Sequence, residues 1–191
     1  MKPDTALVVI DFINDIVHPD GKLAGHGYAN FIETHNTDKK LAELVTKARK
    51  SGWRICHVAV GFSENYNDHP ANSPLLGAAK EYGALNKAEW GCKFIEYSTP
   101  EPEDIVISKP RVSAFYNTPL SSVLSSNDIK NIYIAGCATD LAVQSAARDA
   151  HDRDYNVTVI GDACAAANGI DHDTSLAFLT KIASVKSVND I

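Results

Sequence analysis

Short apolar runs rich in β-branched residues alternate along the chain with segments of helical periodicity, and this alternation limits the folds open to it. The run Ala6–Ile10 (ALVVI) is continuously apolar, as expected of a strand that is covered on both faces. Further strands of the same kind are predicted at Arg54–Val60, Asp104–Ser108, Asn131–Ala135, Asn156–Ile160 and, as a short edge strand, Ala183–Val188.

Helical segments lie between or after these strands. They are predicted in the second half of Tyr28–Lys50 and at Pro119–Ser126, Thr139–Asp152 and Asp171–Ile182. A regular alternation of strand and helix implies right-handed crossovers and a mostly parallel sheet with helices on both faces. The predicted fold class is therefore α/β, with three α/β/α layers of a Rossmann-like kind.

Length and charge restrict the class of protein further. The 191 residues predict a single domain over 1–191, and the net charge of −6 without a run of Lys or Arg argues against binding to nucleic acid or to an anionic membrane. No apolar run approaches the roughly 20 residues of a membrane helix. The apolar stretch before Asp11 is too short for a signal-peptide core, so we expect a cytoplasmic protein.

An irregular segment at about 61–102 interrupts the alternation. It is rich in Asn, Pro, Gly and aromatic residues, as in GFSENYNDHPANSPLL. Long irregular segments in a small domain are usually functional or form a lid, and are occasionally packed loops. We expect this segment to contribute to function.

Three reactive side chains follow predicted strands. Asp11 comes after the first strand, Lys109 after the third and Cys137 after the fourth. Ligands of open parallel sheets bind beyond the carboxyl ends of the strands, so we expect an acid, a lysine and a thiol at one rim. Each also has a structural interpretation: a turn or cap for Asp11, a solvated loop lysine for Lys109, and a small buried apolar residue for Cys137.

The segment Thr139–Asp152 begins at the same rim, so the free amides of its first turn can bind a substrate oxygen. A thiol in that turn would have a lowered pKa. The turn reads Asp140, Leu141, Ala142, Val143, and it contains no thiol.

Three segments together resemble the isochorismatase-like hydrolase superfamily, which includes nicotinamidases, isochorismatases and other amidohydrolases. They are ALVVIDFINDIV, SKPRVSAFYNTPLSSVL and IAGCATDLAVQSAARDAHDRDYNVTVIGDACAA. The resemblance covers nearly the whole chain. It implies a parallel sheet of about six strands flanked by helices, a small-molecule substrate and assembly into a homo-oligomer.

The resemblance also implies roles for individual residues. The catalytic Asp and Lys of the family match Asp11 and Lys109, whereas its nucleophilic Cys falls on Ala142 in GCATDLAV. Cys137 lies five residues earlier and does not match the nucleophile. A cis peptide bond between Cys137 and Ala138 is implied, and it would direct the Ala138 amide, with the Ala142 amide, at a substrate oxygen.

Ala142 leaves three interpretations open, because alanine cannot form a thioester. The chain is a natural thiol-free hydrolase, like isochorismatases in which the Asp protonates an enol-ether carbon and water captures the oxocarbenium ion. Alternatively, it is a cysteine amidohydrolase with a Cys-to-Ala change at 142 that traps substrate. The third interpretation is a small-molecule-binding homologue without turnover.

We predict no metal and no cofactor. Nicotinamidases bind a divalent ion through an Asp-x-His pair, whereas Asp68 and His69 are adjacent here, and His57 lies in a predicted strand. Arg111 can bind a substrate carboxylate through two hydrogen bonds. With Arg111, the predicted substrate-pocket residues are Phe12, Phe62, Trp90, Phe115 and Tyr116.

Overall fold

The computed structural model describes residues 4–191 and contains a six-stranded sheet with the order β3-β2-β1-β4-β5-β6. Every neighbouring pair of strands is parallel. The predicted α/β fold class is confirmed. The strands are β1 (Thr5–Ile10), β2 (Arg54–Val60), β3 (Ile105–Lys109), β4 (Asn131–Gly136), β5 (Asn156–Ile160) and β6 (Ser184–Lys186).

Seven α-helices are formed by the described residues. They are α1 (Asn14–Val17), α2 (Tyr28–His35), α3 (Thr37–Lys50), α4 (Ala79–Tyr82), α5 (Leu120–Ser126), α6 (Gln144–His151) and α7 (Gly169–Leu179). The segment Tyr28–Lys50 contains two helices rather than one, because Asn36 adopts a left-handed conformation (φ 54°) between them. The helix predicted at Thr139–Asp152 begins with a π-helical turn, Thr139–Val143.

The sheet separates two apolar clusters. In β1, Leu7 and Val9 belong to the first cluster, with residues of α2 and α3, while Val8 and Ile10 belong to the second, with residues of α5 and α6. Because side chains alternate along a strand, a central strand buried on both faces must be apolar throughout. This requirement explains the continuous apolar runs of the sequence.

The segment between β2 and β3 packs against the start of the chain. It contains α4 and two 3₁₀ turns, Trp90–Cys92 and Glu96–Ser98. The buried carboxylate of Asp15 accepts a hydrogen bond from the Leu85 amide at 2.7 Å. This bond holds the segment over the carboxyl end of β1. Over residues 4–191 no helix has the length and apolarity needed to span a membrane.

Candidate active site

A cavity of about 270 Å³ lies beyond the carboxyl ends of β1, β3 and β4. Adjacent strands β1 and β4 lead into crossovers on opposite sides, and a sheet of this topology binds its ligand at such a point. The structure brings six of the predicted site residues to this cavity: Asp11, Lys109, Arg111, Cys137, Ala138 and Ala142.

Asp11 is fixed at the end of β1 by three interactions. Its backbone has a left-handed conformation (φ 58°), and its amide donates to the Val58 carbonyl at 2.8 Å. The carboxylate accepts a hydrogen bond from the Val60 amide at 2.7 Å through Oδ1. Oδ2 lies 2.7 Å from Nζ of Lys109. Asp11 is therefore oriented by β2 and β3 as well as by its own strand.

Lys109 is 1% exposed, and the structure satisfies its ammonium group completely. Besides Asp11, Nζ donates to the carbonyls of Arg111 and Val112, each at 3.0 Å. An ammonium group has three hydrogens, so none is left for a substrate while these bonds persist. The geometry favours Lys109 as a fixed positive charge beside Asp11.

Burial raises the pKa of the Asp11 carboxyl above its usual value of 3.8. The charge and hydrogen bond of Lys109 and the hydrogen bond from Val60 act in the opposite direction, but desolvation is the larger effect. A carboxylate of raised pKa binds a proton more readily than an exposed one. Such a group can take a proton from a reactant and return it later in the reaction.

The turn after β4 places one backbone amide, that of Ala138, at the wall of the cavity. The peptide bond between Cys137 and Ala138 is cis. The Ala138 carbonyl accepts hydrogen bonds from the amides of Leu141 (3.2 Å) and Val143 (3.1 Å), whereas the Ala138 amide donates to no backbone acceptor within residues 4–191. This amide is free to bind a substrate oxygen.

Thr139 anchors the turn to the segment of the chain that follows β5. It is fully buried, and its amide (2.8 Å) and hydroxyl (3.0 Å) both donate to the carbonyl of Ala165. Nδ1 of His172, on α7, lies 2.9 Å from the same hydroxyl. Because the hydroxyl hydrogen is directed at Ala165, the imidazole acts as the donor in this second bond.

Close packing also fixes the turn. A Cβ atom at Gly136 would lie 2.9 Å from Cγ2 of Val143 and 3.0 Å from Cβ of Ile10, so a larger residue would displace the turn or β1. Glycine allows the end of β4 to approach both.

Ala142 belongs to the same part of the cavity wall as the Ala138 amide. Ala142 is buried, lies in the π-helical turn and lines the cavity. Cys137 lines the cavity too, but burial raises the pKa of its thiol well above the usual value, and the charges of Asp11 and Asp140 add to this effect. A thiol that stays protonated is a poor nucleophile. The site therefore offers an acid–base group and a free amide without a thiolate.

The prediction that Phe12 and Phe62 line the pocket is wrong. Both rings are fully buried in the first apolar cluster. After the left-handed residue Asp11 the chain turns away from the cavity, and the Phe12 ring packs edge-on against Tyr97 with centroids 6.0 Å apart. Phe62 is held by backbone bonds to Leu85 (2.7 Å) and Lys87 (2.9 Å).

The prediction that Trp90, Phe115 and Tyr116 line the cavity is also wrong, because none of them belongs to its wall. Trp90 packs against His18 at the surface, with ring centroids 4.9 Å apart. Phe115 belongs to the second apolar cluster, under the guanidinium of Arg153. Tyr116 is 60% exposed.

Several residues that the sequence did not single out form the wall instead. From the segment between β2 and β3 they include Leu75, Leu76 and Tyr82, and Tyr28 comes from the start of α2. Burial raises the pKa of the Tyr28 phenol to about 12, with contributions from nearby Cys137 and Asp140, so the phenol is a neutral hydrogen-bond donor at neutral pH. The dipeptide Leu75-Leu76 carries no periodicity that could have indicated its position.

The histidines considered as metal ligands are engaged elsewhere. His57 is buried in β2, with Nε2 3.3 Å from Oδ2 of Asp104, and Nδ1 of His69 bonds the Tyr66 carbonyl at 2.7 Å. Oδ1 of Asp68 accepts a hydrogen bond from the Ser63 amide at 2.8 Å. Within residues 4–191, no three His, Cys, Asp or Glu side chains form a group that could hold a metal ion.

Comparisons with known proteins agree with this architecture. The family model described as "Isochorismatase domain" matches residues 5–190. The chain is 33% identical over 171 residues to the ureidoacrylate amidohydrolase RutB of Methylorubrum extorquens, covering 83% of this chain and 68% of that protein.

Two solved structures extend the similarity to the fold. An isochorismatase family protein from Desulfovibrio vulgaris has a TM-score of 0.87 at 23% identity and covers 97% of this chain and 95% of its own. The N-carbamoylsarcosine amidase of Thermoplasma acidophilum has a TM-score of 0.77 at 27% identity and covers 100% of this chain and 99% of its own.

Proposed function

Because the chain belongs to the isochorismatase family, we propose that it is a hydrolase that cleaves a small polar metabolite without a covalent thioester. The observation that carries this proposal is the buried Asp11–Lys109 pair, 2.7 Å apart, in a cavity that also contains a free backbone amide and the Ala142 methyl group. The acid–base and electrostatic groups of a hydrolase are present, and the attacking thiol is missing.

The proposed mechanism uses water as the nucleophile. For an amide substrate, Asp11 takes a proton from water as the water oxygen bonds to the carbonyl carbon, and the carbonyl oxygen becomes an oxyanion. The amides of Ala138 and Ala142 stabilise that oxyanion. The C–N bond then breaks, and Asp11 returns its proton to the leaving nitrogen. Lys109 holds Asp11 in place and balances its charge throughout.

A vinyl-ether substrate would use the same groups in another order. Asp11, initially protonated, would give its proton to the enol-ether carbon, and water would then capture the oxocarbenium ion. The raised pKa of Asp11 is compatible with either order, because both need a carboxyl group that exchanges a proton under mild conditions.

A substrate panel tests the proposal. The chain and its Ala142→Cys variant are assayed with isochorismate and nicotinamide. Ureidoacrylate and N-carbamoylsarcosine complete the panel, since two relatives are named for them. We expect the unchanged chain to turn over at least one compound. We also expect that activity to survive iodoacetamide, because no thiolate takes part.

The same panel separates the two alternatives. Activity in the Ala142→Cys variant alone, with loss of that activity on alkylation, would identify a cysteine amidohydrolase with its nucleophile replaced. If neither protein turns over any compound while one compound raises the melting temperature, the chain is a binding protein. The codon at position 142 in the source genome distinguishes a natural Ala from a replaced Cys.

A further inference from the structure

A second cavity, of about 410 Å³, lies apart from the candidate active site. It is found beyond the carboxyl ends of β5 and β6, between α7 and the junction of α2 with α3. Within residues 4–191, no residue belongs to the walls of both cavities. Its volume is in the range of roughly 300–1,000 Å³ that is typical of small-molecule sites. The proposed hydrolysis makes no use of this space.

One hydroxyl group in the second wall is buried and has no partner. Thr37, the first residue of α3, is 1% exposed, and its Oγ1 makes no hydrogen bond within residues 4–191. Most buried polar atoms in proteins are paired, and an unpaired one calls for an explanation. A molecule in the cavity with a hydrogen to donate would supply the missing partner. Thr37 therefore marks the buried end of a ligand site.

Two imidazole rings of the same wall each present a lone pair. Nδ1 of His35 lies 2.9 Å from the Phe31 carbonyl, and Nδ1 of His172 donates to the Thr139 hydroxyl. A carbonyl can only accept, so Nδ1 carries the hydrogen in His35 as it does in His172. In the neutral form of each ring, Nε2 is then an acceptor. Both rings contact the Phe31 ring, with centroids 4.0 and 5.0 Å from its own, so the two acceptors belong to one part of the cavity.

A carboxylate without a cationic partner stands beside these nitrogens. Asp173 follows His172 on α7 and belongs to the wall, and none of the ion pairs within residues 4–191 includes it. Burial lowers the pKa of His172 below 6.5, which outweighs the opposite effects of Asp173 and Asp140, and His35 acts in the same direction as burial. His172 is therefore neutral at neutral pH and does not neutralise the carboxylate.

The remaining charged groups of the wall limit a ligand to one positive charge. The carboxylate of Asp162 is engaged, because it accepts a hydrogen bond from the Val188 amide at 2.9 Å and lies 3.8 Å from Nζ of Lys40. Lys186 also belongs to the wall and is exposed, so it would repel a second positive charge on the ligand. The apolar part of the wall consists of Phe31, Cys164, Leu176 and Val185.

We propose that this second cavity binds a small primary monoamine in its ammonium form. The ammonium group has three hydrogens, which it donates to Oγ1 of Thr37, to Nε2 of His172 and to the carboxylate of Asp173. The hydrocarbon chain packs against the apolar part of the wall. The site shares neither residues nor ligand chemistry with the candidate active site, so the proposal does not depend on the hydrolase function.

Three matched probes test this assignment. Butylamine, 1-butanol and 1,4-diaminobutane share one hydrocarbon chain and carry one, no and two positive charges at neutral pH. Their dissociation constants for the full chain are measured by ligand-observed NMR titration. We expect butylamine to bind at least about tenfold more tightly than 1-butanol, because hydrogen bonds from a charged donor are stronger than neutral ones. Butylamine should also bind more tightly than the diamine, whereas attraction to the net charge of −6 alone would favour the diamine.

Two variants assign the binding to this cavity. Thr37→Val keeps the shape of the side chain and should weaken butylamine binding by about tenfold. Its melting temperature should not fall, because the hydroxyl that it removes has no partner in the free protein. Asp173→Asn should weaken binding by at least about tenfold, since the amide carries no charge. Thr46→Val on α3 and Asp152→Asn after α6 are the matched controls outside the cavity wall, and both should leave the affinity unchanged.

Equal affinities for butylamine and 1-butanol would overturn the proposal, and so would tighter binding of 1,4-diaminobutane. An affinity that is unchanged in Thr37→Val or in Asp173→Asn would place the amine elsewhere on the protein. A lower melting temperature of Thr37→Val would show that the hydroxyl is engaged within the fold and is not a ligand group. Absence of butylamine binding at high millimolar concentration would exclude the site.

Discussion

Asp11 combines a left-handed backbone conformation, a buried carboxylate and a charged partner. The left-handed conformation directs its carboxylate at Lys109 and at the Val60 amide. Burial and the lysine act on its pKa in opposite directions, and desolvation is the stronger effect. The residue therefore has the environment of an acid–base group, which an ordinary strand-end aspartate lacks.

Replacing Asp11 by Asn should lower kcat/KM by at least about a hundredfold, because the amide cannot accept the proton. It should also destabilise the fold by about 3–5 kcal/mol, since Lys109 stays buried without its partner. Steady-state kinetics and urea denaturation measure the two effects. The double variant Asp11→Asn with Lys109→Met should recover stability without recovering activity. Full activity in Asp11→Asn would remove Asp11 from the mechanism.

How far single residues could be predicted differs between the polar and the apolar ones. Asp11 and Lys109 could be located because each directly follows or ends a clear strand, and parallel strands bring their ends together. Phe12 could not be placed correctly, because Asp11 before it has a left-handed conformation that turns the Phe12 ring away from the cavity. The type of residue at position 11 does not reveal this conformation. Leu75 depends on the course of an irregular segment, which no periodicity describes.

At the scale of elements, the π-helical turn Thr139–Val143 connects the sheet to the candidate oxyanion site. The sequence predicts a helix here, and α6 does follow. The extra backbone residue of the π turn was not predictable from hydrophobic spacing. Its position depends on tertiary bonds to Ala165 and His172.

Thr139→Val tests this connection. The change keeps the shape of the side chain and removes the bonds of its hydroxyl to Ala165 and His172, while the bond from the Thr139 amide to Ala165 stays. We therefore expect a loss of about 1–3 kcal/mol in the free energy of unfolding. Hydrogen exchange of the amides in Thr139–Val143 should become faster. Thr46→Val, on the exposed face of α3, is the control and should change stability by no more than about 0.5 kcal/mol. Unchanged exchange in Thr139→Val would show that the bonds of the hydroxyl do not hold the turn.

At the scale of the whole molecule, one charged group joins α3 to the sheet. Asp104 precedes β3, and its carboxylate accepts two hydrogen bonds from Arg49 on α3, at 3.0 and 2.6 Å. Nε2 of His57 on β2 lies 3.3 Å away, and Arg49 also contacts Glu101 at 3.0 Å. Burial alone would raise the pKa of Asp104, but hydrogen bonds from Arg49 and the Glu101 amide and the charge of Arg49 lower it below 3.8.

Asp104→Asn should therefore lower the melting temperature most at neutral pH. A carboxyl whose pKa is lower in the folded than in the unfolded state contributes stability above the unfolded value, and this contribution is lost as the pH falls through the folded value. The free energy of unfolding of the variant should be lower than that of the unchanged protein by about 3 kcal/mol at neutral pH. This difference should shrink below about pH 4. Calorimetry across this range measures it. A difference that is constant with pH would show that the charge of Asp104 is not responsible.

The strand order has a consequence for synthesis on the ribosome. β1 is made first but lies in the middle of the sheet, and its neighbour β4 emerges only after β2 and β3. Until then the backbone N–H and C=O groups along one edge of this apolar strand lack their partner, and an unpaired edge of this kind is prone to aggregation. The cavity around Asp11 is therefore completed only late in translation, because Cys137 and Ala138 follow β4. A polypeptide that stopped before β4 would contain Asp11 without the rest of the site.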